Sequence, residues 1–121
     1  MKTGFALLLA SLAALASPPA AAQDAPQLSL EHRMRLRCSA AFALVAKAQQ
    51  EGDVEARAYP PLAERGREYF VRSAAEVMDA AGLDRAQVSA ALTEEARELS
   101  QGATLDQVMP VCLRALDDSG L

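Results

Sequence analysis

The sequence predicts an all-α fold: a small bundle of four main helices, orthogonal or up-down, with room for one further short helix. Three observations lead to this prediction. Apolar residues recur at spacings of three and four, residues suited to N-caps precede these periodic segments, and glycines follow them. The alternation of polar and apolar residues over positions 33–37 is strand-like, but it lies within a longer helical period. The short connections favour antiparallel neighbours.

Helix one is predicted to run from about Ser29 to Glu51. Ser29 is a suitable N-cap, and Gly52 suits the left-handed position that follows many helices. Because its apolar residues are spaced by three and four, they should share one inward face. That face is predicted to comprise Leu30, Met34, Cys38, Phe42 and Val45.

Residues 53–59 could form one or two helical turns that Pro60 ends, since a residue before proline avoids helical geometry. Helix two is predicted from about Pro61 to Ala81, because proline is well tolerated in a first turn. Gly66 lies within its inward stripe. A glycine there is about 1 kcal/mol less favourable than alanine, which predicts close approach by another backbone or a bound group.

Helices three and four each begin with the residue pattern of a capping box. Asp84 and Gln87 form this pattern for helix three, which should end near Ser100, and Thr104 and Gln107 repeat it for helix four. Pro110 falls inside helix four and removes one backbone hydrogen bond. A kink or break is therefore expected there.

The N-terminal region has the features of a cleavable signal peptide over residues 1–22. A basic start precedes a dozen apolar residues at positions 5–16, and three alanines offer a cleavage site after Ala22. The apolar run is too short to span a bilayer. We therefore expect a periplasmic or secreted protein without a membrane anchor in its mature form. Its flexible lead-in should cover residues 23–28, and a single helical domain should cover residues 29–121.

The two cysteines, Cys38 and Cys112, are expected to form a disulfide that joins the first helix to the last. Exported proteins meet an oxidising environment, and two cysteines allow one intramolecular pairing. Closing a loop of about 75 residues stabilises a fold by roughly 4 kcal/mol. The alternative, a redox-active thiol pair, usually has the C-x-x-C spacing that this chain lacks.

Composition argues against several functional classes. A net charge of −4 and an aromatic content of 4% are unfavourable for nucleic-acid binding. The chain has one histidine, His32, and no glycine-rich phosphate loop or G-x-S-x-G motif. With both cysteines committed to a bridge, we expect no metal site, no cofactor and no catalytic residue.

Two groups of residues are candidate contacts for a partner or ligand. Arginine forks and tyrosine hydroxyls suit the recognition of carboxylates and protein surfaces. The alternative is local architecture: Tyr59 packs the turn, Tyr69 and Phe70 fill the core, and the arginines pair with carboxylates such as Glu64 and Glu68. The candidates are Arg33 and Arg37 in helix one, and Tyr59, Arg65, Gly66, Arg67 and Tyr69 around the start of helix two.

Several short motifs resemble those of a group of small exported helical proteins of alphaproteobacteria. These motifs are Cys38 with Phe42, Tyr59–Pro60–Pro61, Arg65–Gly66–Arg67–Glu68–Tyr69–Phe70, and Met109–Pro110 with Cys112. The resemblance covers most of the domain. It implies a periplasmic setting, and it assigns no activity and no site residue.

The leading functional hypothesis is a non-enzymatic periplasmic protein that binds a protein partner, in an inhibitory, immunity-like, stress or accessory role. The first alternative is a carrier of a small ligand or lipid, with an apolar cavity between the helices. A carboxylate-based hydrolase, using pairs such as Glu64/Glu68 or Glu94/Glu98, is a weaker alternative because such pairs are usually solvated. A homodimer is also open, because a core face and an interface look alike in sequence.

Overall fold

The computed structural model describes residues 28–121, and every regular element in this part of the chain is helical. This confirms the all-α class and the prediction of four main helices with one short one. The predicted signal peptide and nearly all of the lead-in lie outside the described residues. The α-helices are α1 (Leu30–Gln50), α2 (Arg65–Ala81), α3 (Arg85–Leu99) and α4 (Thr104–Asp118), and a 3₁₀ helix covers Ala56–Ala58.

Helix α1 is the central element, since it packs against α2, α3 and α4. The predicted inward face is therefore only partly right. Cys38, Phe42 and Val45 are buried, whereas Leu30 is 77% exposed. Leu36, outside the predicted face, is buried instead. A single stripe describes a helix with one buried face, but a central helix buries residues on several sides.

The buried side chains form two hydrophobic clusters. The larger joins α1 to α4 and to Tyr69 of α2, with Phe42, Met109 and Leu116 among its fully buried members. The smaller one fills the space between α1, the end of α2 and the start of α3. Its members are Leu36, Val77, Leu83 and Val88.

A disulfide between Cys38 and Cys112 connects α1 to α4, as predicted, with the two Cα atoms 5.2 Å apart. The two helices run antiparallel. On one side of the bridge Met34 lies near Ala115, and on the other Ala48 lies near Leu105. The bridge therefore crosses near the middle of both helices and holds the first and last elements of the domain together.

Helix α2 begins at Arg65, four residues later than predicted, because the side chain of Gln49 holds the preceding backbone in place. Its Nε2 donates to the carbonyl oxygens of Ala56, Tyr59 and Pro60, and its Oε1 accepts from the N–H of Leu62 at 3.1 Å. These bonds come from α1, so the local sequence around Pro61 does not reveal them.

The helix boundaries confirm most of the predicted caps. Ser29 caps α1, and Asp84 and Gln87 form the expected capping box on α3. The predicted cap of α4 is wrong: Ala103 occupies the N-cap, and the hydroxyl of Thr104 donates back to the carbonyl of Gln101. Thr104 is itself the first residue of the helix, and the side chain of Ala103 before it carries no acceptor to cap the next turn.

Helix α4 continues through Pro110 rather than breaking there. Proline removes one hydrogen bond of the helix, and the residues on either side compensate through tertiary packing. Met109 and Cys112 are both fully buried, and Cys112 is tied to α1. Pro110 itself lies on the exposed side of the helix.

Gly66 lies at a close contact between α2 and α1. A Cβ atom added at Gly66 would lie 3.0 Å from Cβ of Phe42 and 3.2 Å from Cβ of Leu62. The predicted close approach is therefore confirmed, and the neighbour is the base of a core side chain.

Reducing the disulfide should destabilise the domain by about 4 kcal/mol, which corresponds to a fall in Tm on the order of 15–30 °C. The reason is that reduction restores conformational freedom to the loop in the unfolded chain. Circular dichroism melts of oxidised protein and of protein refolded in reductant would measure it. A double variant with Cys38→Ser and Cys112→Ser should melt at one temperature with or without reductant. Equal melting of the oxidised and reduced protein would contradict a stabilising bridge.

Replacing Gly66 with alanine should lower the free energy of unfolding by about 1 kcal/mol or more, even though alanine has the higher helix propensity. The added methyl group meets Phe42 and Leu62, and both are fully buried. Urea unfolding would measure the change. Ala75→Gly, at an exposed position of α2, reports the propensity effect alone. A more stable Gly66→Ala protein would show that the helices can move apart freely.

Candidate functional site

The candidate contact residues predicted from the sequence do not form one surface. Arg33 and Arg67 are exposed on α1 and α2, and Gly66 is buried at the contact between these helices. The other four serve as links between elements, described next. The interpretation as local architecture therefore accounts for several of them, although with different partners from those expected.

Arg37 links α1 to α3. Its Nη1 lies 2.7 Å from Oε2 of Glu95 and 3.1 Å from Oε2 of Glu98. Burial lowers the pKa of Arg37, but the hydrogen bonds to the two carboxylates outweigh this and raise it. Arg37 therefore remains charged and holds the two helices together.

Arg65 fastens the end of α4 to the start of α2. Its Nε donates to the main-chain oxygen of Leu121 at 2.8 Å, and its Nη2 lies 2.9 Å from Oδ1 of Asp117. The expected pairing of Arg65 with Glu64 is not the contact that forms. Both partners are distant in sequence, and only the packing of α4 brings them to Arg65.

The two tyrosines lie on different parts of the domain. Tyr69 is buried in the larger cluster, with its ring edge-to-face with Phe42 at 5.2 Å between centroids. Tyr59 donates from Oη to Oδ1 of Asp106 at 2.6 Å, which ties the segment before α2 to α4. The bond to Asp106, followed by burial, raises the pKa of Tyr59 from 10.0 to about 12.

A surface groove of about 400 Å³ lies between the N-terminal half of α1 and the C-terminal half of α4. We call it the α1–α4 groove. Its floor is mostly apolar, and its rim carries charges of both signs. Floor residues are Met34, Cys38, Tyr69, Val111 and Ala115, and rim residues are Glu31, Arg35, Asp118 and Ser119.

Large apolar side chains remain exposed around this groove. Leu30 is 77% exposed, and its spacing from Met34 and Cys38 places it on the same face of α1. Val111 of α4, one of the floor residues, is 40% exposed. Leu30 does not line the groove itself, but it extends the exposed apolar surface of α1 one turn beyond Met34.

Arg35 lies where the α1–α4 groove meets a smaller groove of about 210 Å³ beside α2. Its Nη2 lies 3.0 Å from Oε1 of Glu31, and its Nη1 lies 3.1 Å from Oε2 of Glu76. Its Nε is buried, and no hydrogen-bond acceptor reaches it in residues 28–121. Arg33 and Arg37 were the predicted contacts of helix one because helical spacing places them on one face, whereas Arg35 lies on another.

The opening beside Tyr59 is separate from the α1–α4 groove. It has a volume of about 220 Å³, and Asp106 and Leu105 are among its lining residues. A further groove of about 360 Å³ lies along α1 beside Phe70 and Leu92. The space around the two tyrosines is therefore divided between distinct surface grooves.

Most carboxylates of the hydrolase hypothesis are paired with arginines. Glu94 bonds Arg97, Glu98 bonds Arg37, and Glu68 lies 3.8 Å from Arg72.

Over residues 28–121, no group of three or more His, Cys, Asp or Glu side chains could hold a metal ion. No helix in the same range is long and apolar enough to cross a membrane.

Replacing Tyr59 with phenylalanine should lower the free energy of unfolding by about 1 kcal/mol at neutral pH, because it removes the bond to Asp106. The folded protein holds the Tyr59 proton more tightly than the unfolded chain does. The stabilisation is therefore complete below pH 10 and is lost as the pH rises towards 12. Urea unfolding across this range would test it.

The difference in tyrosinate absorbance between the wild-type protein and the Tyr59→Phe variant would report the titration of Tyr59 directly. Tyr69 is common to both proteins and cancels. A Tyr59 midpoint at the ordinary value of 10.0 would contradict the bond to Asp106.

Comparison with known proteins gave no matching family model, no matching curated protein and no matching solved structure.

Proposed function

We propose that this chain is an exported, non-enzymatic protein that binds an apolar segment of a protein partner in the α1–α4 groove. The observation that carries the proposal is a mostly apolar groove in which Val111 is 40% exposed. Leu30, which is 77% exposed, lies one helical turn before the groove residue Met34. Exposed apolar surface that is clustered and rimmed by polar groups is typical of interaction sites.

The dimensions of the groove favour one short segment as its occupant. Along α1 it extends from Glu31 to Cys38, which is about 10 Å, or two helical turns. That length fits the side chains of two helical turns or of a short extended peptide. A stable homodimer buries about 800 Å² on each partner, which is more than so short a groove offers.

The disulfide supports this use of the groove. It joins α1 to α4 beneath the groove, and Cys38 is one of the floor residues. Because a bridge between the two walls limits their relative movement, less conformational freedom is lost on binding. An inhibitor, an immunity-like protein, a stress factor or an accessory subunit would all use such a contact.

Export is part of the proposal and rests on two features. The apolar N-terminal run and the alanines before Gln23 fit a cleaved signal peptide. A disulfide in the core fits an oxidising compartment such as the periplasm or the extracellular space. The resemblance to small exported proteins of alphaproteobacteria agrees with this location.

The competing functions fit the described surface less well. A lipid carrier encloses most of its ligand, whereas the α1–α4 groove is open along one side. A glycoside hydrolase places two carboxyl groups on either side of a cleft, whereas Glu94 and Glu98 are bonded to arginines.

Site-specific photocrosslinking in the native host would test the proposal. A photoreactive residue in place of Val111 should form a discrete covalent adduct with one protein, because Val111 lies in the groove. The same residue in place of Val54, which is 79% exposed outside the groove, is the matched control. Met34→Asp should abolish the adduct at position 111. No adduct, or equal adducts at both positions, would overturn the proposal.

A further inference from the structure

We propose that Arg35 is the polar anchor of the α1–α4 groove and that the bound segment presents a carboxylate to it, beside apolar side chains. This inference rests on the proposed function and adds the chemistry of the partner: an acidic peptide segment. It starts from the guanidinium group of Arg35, which lies between the two adjoining grooves.

The guanidinium of Arg35 has one edge that is only half used. An arginine side chain presents Nε–H and one Nη–H side by side, and a carboxylate can accept from both. On this edge, Nη2 donates to Oε1 of Glu31, while Nε is buried with no acceptor among the described residues 28–121. Glu31 therefore makes one contact where a well-placed carboxylate makes two.

Glu31 is suited to give way to a ligand. Its side chain is 72% exposed, and it lies one turn before Arg35 on the same helix. Exposed pairs of this kind contribute little to stability because water and salt screen them. A carboxylate that replaces Glu31 gains the contact to Nη2 and also satisfies Nε, which is covered in the present conformation.

Glu76 remains a partner of Arg35 during this exchange, and at 50% its side chain is less exposed than that of Glu31. It bonds Nη1 at 3.1 Å, away from the edge that Glu31 occupies. Arg35 therefore keeps one intramolecular partner when its other edge changes partners. Tyr69, which lines both grooves, adds an apolar ring beside the same position.

The charges around Arg35 make the anchor selective. Glu31, Glu76 and Asp118 are acidic, and Arg72 is the second basic residue of the two grooves. This balance disfavours free anions, so a carboxylate needs additional apolar contact to bind. Met34, Val111 and Ala115 supply that contact. A peptide with one acidic residue among apolar ones meets both requirements.

The test uses a phage-displayed library of random peptides, selected on the oxidised protein, followed by synthetic copies of the enriched peptides. Enriched peptides should share an Asp or Glu next to apolar residues. Fluorescence anisotropy should show that Arg35→Gln weakens their binding about tenfold or more. Replacing the peptide's acidic residue with its amide should cause the same loss, and the two losses should not add.

Three further variants of the protein sharpen the result. Glu31→Ala removes the competing carboxylate and should tighten binding. Arg35→Lys keeps the charge without the paired donors and should bind between the wild type and Arg35→Gln. Arg33→Gln is the matched control, because Arg33 is exposed two positions earlier and does not line the groove. This variant should bind the peptides like the wild type. Thermal melts would verify that each variant is folded.

Failure of this inference and failure of the proposed function have different signatures. One contrary result is that Met34→Asp abolishes the binding of peptides that lack an acidic residue, and another is that it abolishes the binding of peptides whose affinity Arg35→Gln leaves unchanged. Either result would overturn the role of Arg35 as an anchor, while the groove would still be a peptide-binding site. If Met34→Asp weakens the binding of no selected peptide, both the anchor and the proposed function are overturned. If the groove binds the fatty acid decanoate and no peptide, both are likewise overturned and the groove belongs to a carrier.

Discussion

The covalent link between Cys38 and Cys112 is the constraint on which the rest of the domain depends. It joins the middle of α1 to the middle of α4, and α1 in turn contacts every other helix. A domain of this size buries a modest core, so roughly 4 kcal/mol from one bridge is a large share of its stability. The antiparallel pair of α1 and α4 is thus the frame against which α2 and α3 pack.

The polar links between elements follow from the same central position of α1. Gln49, near its end, satisfies the backbone of the segment that precedes α2, and Arg37, near its middle, bonds two carboxylates of α3. Tyr59 ties the segment before α2 to α4, and Arg65, the first residue of α2, is bonded to the end of α4. The irregular segments are therefore held by long side chains with fixed partners, while small residues such as Gly66 let the helices approach.

The α1–α4 groove is a consequence of this architecture. On one side of the bridge Val45 and Met109 are buried in the larger cluster, whereas on the other side Met34 is half-buried and Val111 is exposed in the groove. The disulfide that stabilises the core therefore also limits the movement of the groove walls. The proposed binding of an acidic, apolar segment uses the part of the α1–α4 pair that the core leaves uncovered, with Arg35 as its polar contact.

Local patterns in the sequence were sufficient to predict the helical class, the four helices, the cap at Asp84 and the cysteine pairing, because each depends on residues close in sequence or on a single allowed combination. Only the tertiary structure decided that α2 starts at Arg65, that Leu30 is exposed while Leu36 is buried, and that Arg35 rather than Arg33 lines a groove. These features depend on which helix is surrounded by the others and on partners far along the chain. Helical periodicity defines the faces of a helix, but the packing of its neighbours determines which faces are covered.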